Sequence, residues 1–167
     1  KVAYEQGVRT IIATPHITPG IIPFSCEAIR QRARMAQQIC QFNQLDITIF
    51  AGAEVMYTYQ TERYLAEHRI PTMAGSTKVL VEFPENIHYD EMERAVQVLL
   101  RSGHVPILAH VERYPCLMYS IRRVERLKEK YDVQYQVNCD FLMNSGHCYN
   151  KRKVKKMLLE HQIDYIA

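Results

Sequence analysis

Four residues able to bind a metal stand at equivalent places along the chain, each at or just past the end of a β-rich run. RTIIA (9–13) is followed by Thr14-Pro15-His16, and ITIFA (47–51) by Gly52-Ala53-Glu54. KVLVEF (78–83) carries Glu82 near its end, with Glu85 close by, and VPILA (105–109) is followed by His110, Glu112, Arg113 and Tyr114. Two imidazoles and two carboxylates without a thiolate suit Mn²⁺, Fe²⁺ or Zn²⁺, because that donor mixture favours borderline to hard first-row cations. A glutamate can bridge two such ions, and water held there is acidified into a nucleophile at neutral pH. An arginine three residues beyond His110 can clamp a phosphate with two donors and offset charge that develops on it. The chemistry this predicts is hydrolysis of a phosphoester.

Taken singly, a histidine or glutamate at a strand end is ordinarily a cap or an ion-pair partner. The weight comes from four in phase with the strand period. His104 directly precedes its strand, on the wrong side for such a site, and is left out; His147 also lies near an element end. Cys116 lies near the proposed site, but no H-C-x₅-R signature of cysteine-dependent phosphatases occurs, which argues against a thiol nucleophile.

The elements that must position these groups alternate between short β-rich runs and amphipathic helical stretches, the pattern of a parallel α/β fold. Lys1 to Gly7 reads as the tail of a helix ending at a glycine, so an earlier strand is expected before it. Strands are expected at 9–13, 47–51, 78–83, 105–109, 133–137 and 163–167. Ser25 should cap a helix over 26–42 whose apolar face is Ile29, Ala33, Ala36, Ile39 and Cys40. A short helical piece is expected near 61–67. Asp90 followed by Glu93 resembles a capping box, with Met92, Ala95, Val96, Leu99 and Leu100 as the core stripe and Gly103 as the stop. Further helices are expected at 120–130 and 150–160. Six strands plus a lost one imply a closed or nearly closed barrel, in which chemistry sits on loops at the C-terminal ends of the strands.

Composition excludes several other classes. The 167 residues, 47% of them hydrophobic, are enough for one globular domain with a sizeable core. A net charge of +3 spread along the chain is too mild for a nucleic-acid footprint. The five cysteines form no C-x-x-C pair and are odd in number, which argues for a reducing cytoplasm rather than a secreted disulfide framework. No apolar run approaches the roughly 20 residues that span a bilayer, so no membrane insertion is expected. The basic run from Lys151 to Lys156 is by default a solvated helix face, the alternative being a docking patch for an acidic partner. Of the eleven tyrosines, Tyr57, Tyr59, Tyr114 and Tyr119 flank the candidate ligands, and one or two at the mouth can stack on a phenol ring.

The strings IIATPH (11–16), AGAE (51–54), VLVEFP (79–84) and ILAHVERY (107–114) resemble the PHP (polymerase and histidinol phosphatase) superfamily. More closely, they resemble its capsular and exopolysaccharide metal-dependent tyrosine phosphatases, with AHVERY close to that family's AHPERY. The resemblance runs in order through nearly the whole chain. It implies a distorted TIM-like (β/α)7 barrel, a multinuclear cluster of divalent ions, usually manganese with iron, zinc or magnesium as alternatives, and cytoplasmic action on the phosphotyrosine tail of a bacterial tyrosine autokinase in capsule or exopolysaccharide regulation. Position by position, it implies that Glu54 bridges two metals, that Glu82 and His110 complete the shell of the second, that His16 binds the third, and that Arg113 contacts the phosphate.

The family pattern also opens with an H-x-H motif on its first strand and an Asp in the loop after it, and closes with S-D-A-H after its last strand. These belong before Lys1 and after Ala167, so residues 1–167 are expected to be one PHP-type phosphatase domain truncated at both ends, short of several ligands and weak in Mn²⁺ binding. Val111 replaces a proline usual in the family. Two other functions are kept beside the first: a small-molecule phosphatase of histidinol-phosphatase type, and a degenerate, metal-free binding module.

Overall fold

The computed structural model describes residues 1–143 and 148–167; His147 lies outside the described residues. The chain divides into two compact units, Lys1–Val79 and Leu80–Ala167.

In the first unit, a short helix α1 (Val2–Glu5) leads through Gly7, at φ +93°, into strand β1 (Thr10–Ala13). Strand β2 is His16–Ile17, helix α2 is Cys26–Phe42, and strands β3 and β4 are Thr48–Ala51 and Glu54–Met56. β1 and β3 pair in parallel from Thr10↔Thr48 to Ala13↔Ala51, a pairing that needs a crossover, and α2 is that crossover. The Ser25 hydroxyl accepts from the Ala28 N–H at 3.2 Å, the expected N-cap. Gln37 ties the helix to the strand region, donating to the Ile47 carbonyl at 3.0 Å and accepting from the Ile49 N–H at 2.7 Å. Of the expected apolar face, Ile29 and Ala33 are buried, whereas Ile39 is 62% exposed. Helix α3 (Thr61–Ala66) follows, then a single 3-10 turn at Met73–Gly75.

The second unit is built on parallel strands in the order β5 (Lys78–Glu82, which crosses the boundary between the units), β6 (Val105–Leu108), β7 (Gln134–Val137) and β8 (Tyr165–Ile166). The crossovers are α4 (Tyr89–Arg101), α5 (Pro115–Met118) with α6 (Ile121–Tyr131), and α7 (Cys139–Met143) with α8 (Cys148–Leu159). Met92, Val96 and Leu99 from α4, Val124 and Leu127 from α6, and Val154 and Met157 from α8 are fully buried, as are Val81, Leu108, Tyr135 and Val137 from the strands. Apolar periodicity therefore turns each helix onto the core of its unit, as a parallel sheet requires.

Three expectations are refined. The parallel α/β character holds, but no pairing among the described residues closes the strands into a barrel. The capping box at Asp90 does not form: α4 starts at Tyr89 with His88 as N-cap and no side-chain cap, so Asp90 and Glu91 lie inside the first turn, where they oppose the positive end of the helix dipole. In the basic run, the Lys153 ammonium donates to the Met118 carbonyl and Lys156 pairs with Glu160 at 3.5 Å, so part of that face is engaged within its own unit. No helix of the described residues is long and apolar enough to cross a membrane.

Candidate metal centre

In the first unit, the β1–β3 ladder runs on into β2–β4. Gly52 N–H donates to the Ala13 carbonyl at 2.9 Å, and Glu54 N–H to the Pro15 carbonyl at 3.0 Å. Gly52 is needed there, since a Cβ at this position would meet Ile12 Cγ2 at 2.9 Å. The continued ladder sets His16 opposite Glu54 in register, and Ile17 opposite Val55. Thr14-Pro15 and Gly52-Ala53 thus deliver one imidazole and one carboxylate side by side.

His16 Nδ1 lies 3.8 Å from Glu54 Oε1. That is too long for a hydrogen bond, yet one ion with bonds of about 2.0–2.2 Å can touch both atoms. The Glu54 side chain is 9% exposed and that of His16 74%, so the pair has a buried anionic wall and an open imidazole side. A buried carboxylate is costly unless a cation or donors compensate it, and the imidazole–carboxylate donor set fits a borderline first-row divalent ion.

In the second unit, Glu82 is the last residue of β5, and Arg113 ends a single 3-10 turn, Val111–Arg113, that follows β6. Arg113 Nη1 lies 4.0 Å from Glu82 Oε1, with the arginine side chain 47% exposed. His110 joins β6 to that turn in a left-handed conformation, φ 51° and ψ 46°, and its carbonyl accepts from the Arg113 N–H at 2.8 Å. A left-handed backbone is uncommon for a residue with a Cβ, but among the described residues five other non-glycine residues share it, so it does not by itself mark the site. His110 Nδ1 lies 2.9 Å from Asn138 Oδ1. The carboxylate of Glu112, only 3% exposed, accepts from the Asn138 main-chain N–H at 3.4 Å.

Of the five residues expected from the sequence, Glu82 ends β5 and His110 lies two residues past β6, whereas His16 and Glu54 open the short strands β2 and β4 and Arg113 closes the 3-10 turn after β6. His16 is brought beside Glu54 within the first unit, and Glu82 beside Arg113 within the second. Asn138 and Glu112, which adjoin His110, are not among those five. Asn138 is the first residue past β7, so the strand-end rule that found His110 would have found it too; the burial of Glu112 has no signal in the sequence. Tyr114 is only 1% exposed and is a packing residue, whereas Tyr119 and Tyr59 are 73% and 85% exposed. Burial pushes the Cys116 thiol up, which keeps it protonated and a poor nucleophile. His104 Nδ1 lies 3.2 Å from the Ser102 hydroxyl, a local contact at the end of α4.

Comparison with known proteins adds a second line. The family model described as "Capsular polysaccharide synthesis, CpsB/CapC" matches residues 1–167. Tyrosine-protein phosphatase CpsB of Streptococcus pneumoniae is 33% identical over 145 residues, covering 87% of this chain and 57% of that protein. Tyrosine-protein phosphatase CpsB of Streptococcus agalactiae is 26% identical over 172 residues, covering 99% of this chain and 70% of that protein. Tyrosine-protein phosphatase YwqE of Bacillus subtilis is 28% identical over 131 residues, covering 72% of this chain and 50% of that protein. The chain thus spans between half and 70% of the length of these relatives. Among solved structures, one from the crystallographic description of B. subtilis YwqE and S. pneumoniae CpsB as unique metal-dependent tyrosine phosphatases superimposes with a TM-score of 0.86. At 24% identity, covering 99% of this chain and 67% of that one, it speaks for the fold.

Proposed function

The chain belongs to the CpsB/CapC family of capsular polysaccharide synthesis, and from that premise we propose that it is the body of a metal-dependent protein-tyrosine phosphatase. Its substrate is the phosphotyrosine tail of a bacterial tyrosine kinase in the cytoplasm. The observation that carries the reading is the His16–Glu54 pair, a buried carboxylate set in register against an imidazole at 3.8 Å. The names of the curated relatives support the phosphotyrosine substrate.

In this reading residues 1–167 serve as one PHP-type domain with a distorted barrel, and His16, Glu54, Glu82 and His110 hold a multinuclear cluster. Manganese is the first choice of metal, with iron, zinc or magnesium as alternatives. When bound, the ions supply Lewis acidity that activates water and draws charge from the phosphoryl group. The protein's own part is orientation. Glu54 presents its carboxylate from a buried strand, so it does not reorganise as charge develops. Arg113 has five donors on a planar fork; one edge can remain near Glu82 while the other grips two phosphoryl oxygens.

The substrate class is tested by comparing turnover of a phosphotyrosyl peptide and of histidinol phosphate by the natural full-length protein loaded with Mn²⁺. The proposal expects the peptide to be preferred in kcat/KM by at least about tenfold, a difference of about 1.4 kcal/mol in transition-state binding. Preference for the small ester would move the chain to the histidinol-phosphatase type, and metal-free binding of the peptide without turnover would make it a binding module.

A further inference from the structure

The residue opposite His110 has a chemistry that bears on how that histidine can act. β6 and β7 pair in parallel, with Ile107 opposite Gln134 and Leu108 opposite Tyr135. His110 comes two residues after the end of β6 and Asn138 one residue after the end of β7, so adjacent strands release both at the same edge. The left-handed turn at His110 takes the chain out of the strand and into the 3-10 turn, and its Nδ1 meets Asn138 Oδ1 at 2.9 Å. Asn138 is itself anchored. Its main-chain N–H donates to Glu112 Oε1 at 3.4 Å, and the Glu112 carbonyl accepts from Asn150 Nδ2 at 3.1 Å.

A neutral imidazole carries one N–H and one lone pair, and what faces one nitrogen decides the state of the other. An amide oxygen only accepts. At 2.9 Å from Nδ1 it requires a proton on Nδ1, since the other tautomer would set two lone pairs against each other. The lone pair is then on Nε2. An amide turned the other way, with its NH₂ toward the ring, would reverse the assignment and leave Nε2 protonated and unable to coordinate. The identity and orientation of a single amide thus decide whether His110 is a donor to a metal through Nε2.

We propose that Asn138 is a positioning residue that holds His110 in the Nδ1–H tautomer and so keeps Nε2 as the coordinating nitrogen. The role of His110 as a ligand rests on the phosphatase reading above; the tautomer does not. Glu112 belongs to the same device, because it fixes the main chain from which the amide projects. Outer partners of this kind orient a ligand imidazole and raise its basicity, and their loss typically weakens metal binding about 10- to 100-fold.

The test uses the natural full-length protein, labelled with ¹⁵N-histidine and free of metal, in a two-bond ¹H–¹⁵N correlation spectrum at neutral pH. The His110 signals are assigned by their loss in His110→Gln. The proposal expects wild-type His110 to carry its proton on Nδ1, Asn138→Ala to shift it toward Nε2–H, and Asn138→Asp, which also only accepts, to retain Nδ1–H. Mn²⁺ affinity, measured by chelator competition, should fall about 10- to 100-fold in Asn138→Ala and be retained in Asn138→Asp. A wild-type His110 protonated on Nε2 would overturn the proposal, as would unchanged Mn²⁺ affinity in Asn138→Ala. The wild-type spectrum decides even if the alanine variant fails to fold. If the wild type bound no divalent ion, the phosphatase reading would fall, and the tautomer measurement would still judge the Asn138 assignment on its own.

Discussion

The hydroxyl of Tyr114 accepts a hydrogen bond from the main-chain N–H of Phe83 at 3.1 Å, in a buried setting. Phe83 directly follows Glu82 and Tyr114 directly follows Arg113, so this bond ties together the two chain segments that carry the candidate ligand and the candidate phosphate clamp. Their rings also meet edge to face, with centroids 6.2 Å apart. Tyr114→Phe keeps the ring packing and removes the hydroxyl that accepts this bond. It should lower stability by about 1–2 kcal/mol, read as a shift in urea midpoint at unchanged m-value. An unchanged midpoint would mean that the bond contributes nothing.

Arg113 should separate binding of phosphate from binding of metal. Arg113→Lys keeps the charge but loses the two-pronged fork, and Arg113→Ala loses both. With a phosphotyrosyl peptide, kcat/KM should fall about 10²- to 10³-fold in the alanine variant and by less in the lysine variant. Metal content should not change in either. Loss of metal in Arg113→Ala would reassign this residue to maintaining the ligand set through Glu82.

Glu93 gives stability a pH dependence away from the site. Its Oε1 accepts from the Tyr131 hydroxyl at 2.9 Å and from the Lys130 ammonium at 3.4 Å, with the Arg126 guanidinium 3.7 Å away. Burial works to raise its pKa, but those hydrogen bonds and the neighbouring positive charge outweigh it and hold the carboxyl below its ordinary 4.5. A depressed carboxyl stabilises the fold above its unfolded-state pKa, and that stability is lost as the pH falls through its folded-state pKa. The stability difference between wild type and Glu93→Gln should therefore shrink as the pH is lowered from about 6 to about 3. A difference independent of pH would show that the contacts act without the charge.

Strand ends were the most legible feature of the sequence, because buried parallel strands read as apolar runs and the first polar residue after each run stands out. His110 directly follows its run, His16 and Glu54 lie three residues past theirs, Glu82 stands near the end of its own, and Arg113 lies three residues beyond His110. The short β2–β4 pairing was not legible, since a two-residue strand has no periodicity; only Gly52, where a side chain would collide with Ile12, hints at it. The start of helix α2 is legible because Ser25 supplies a real cap, whereas Asp90 caps nothing because α4 starts two residues earlier than such a cap would set it, at Tyr89 with His88 as N-cap. Asn138 follows its strand as the other candidates follow theirs, whereas its pairing with His110 and the burial of Glu112 depend on which strands are neighbours, and no local pattern carries that information.

The central claim is that Glu54 holds a divalent ion that phosphotyrosine hydrolysis requires. The direct measurement is phosphotyrosyl-peptide turnover and bound-metal analysis on the natural full-length protein, wild type against Glu54→Gln, each stripped with chelator and resupplied with Mn²⁺. The predicted result is wild-type turnover that vanishes on stripping and returns with Mn²⁺, while Glu54→Gln stays folded, retains less metal and loses at least about 10²-fold in kcat. Chelator-resistant turnover, or a Glu54→Gln variant with wild-type metal content and rate, would contradict it.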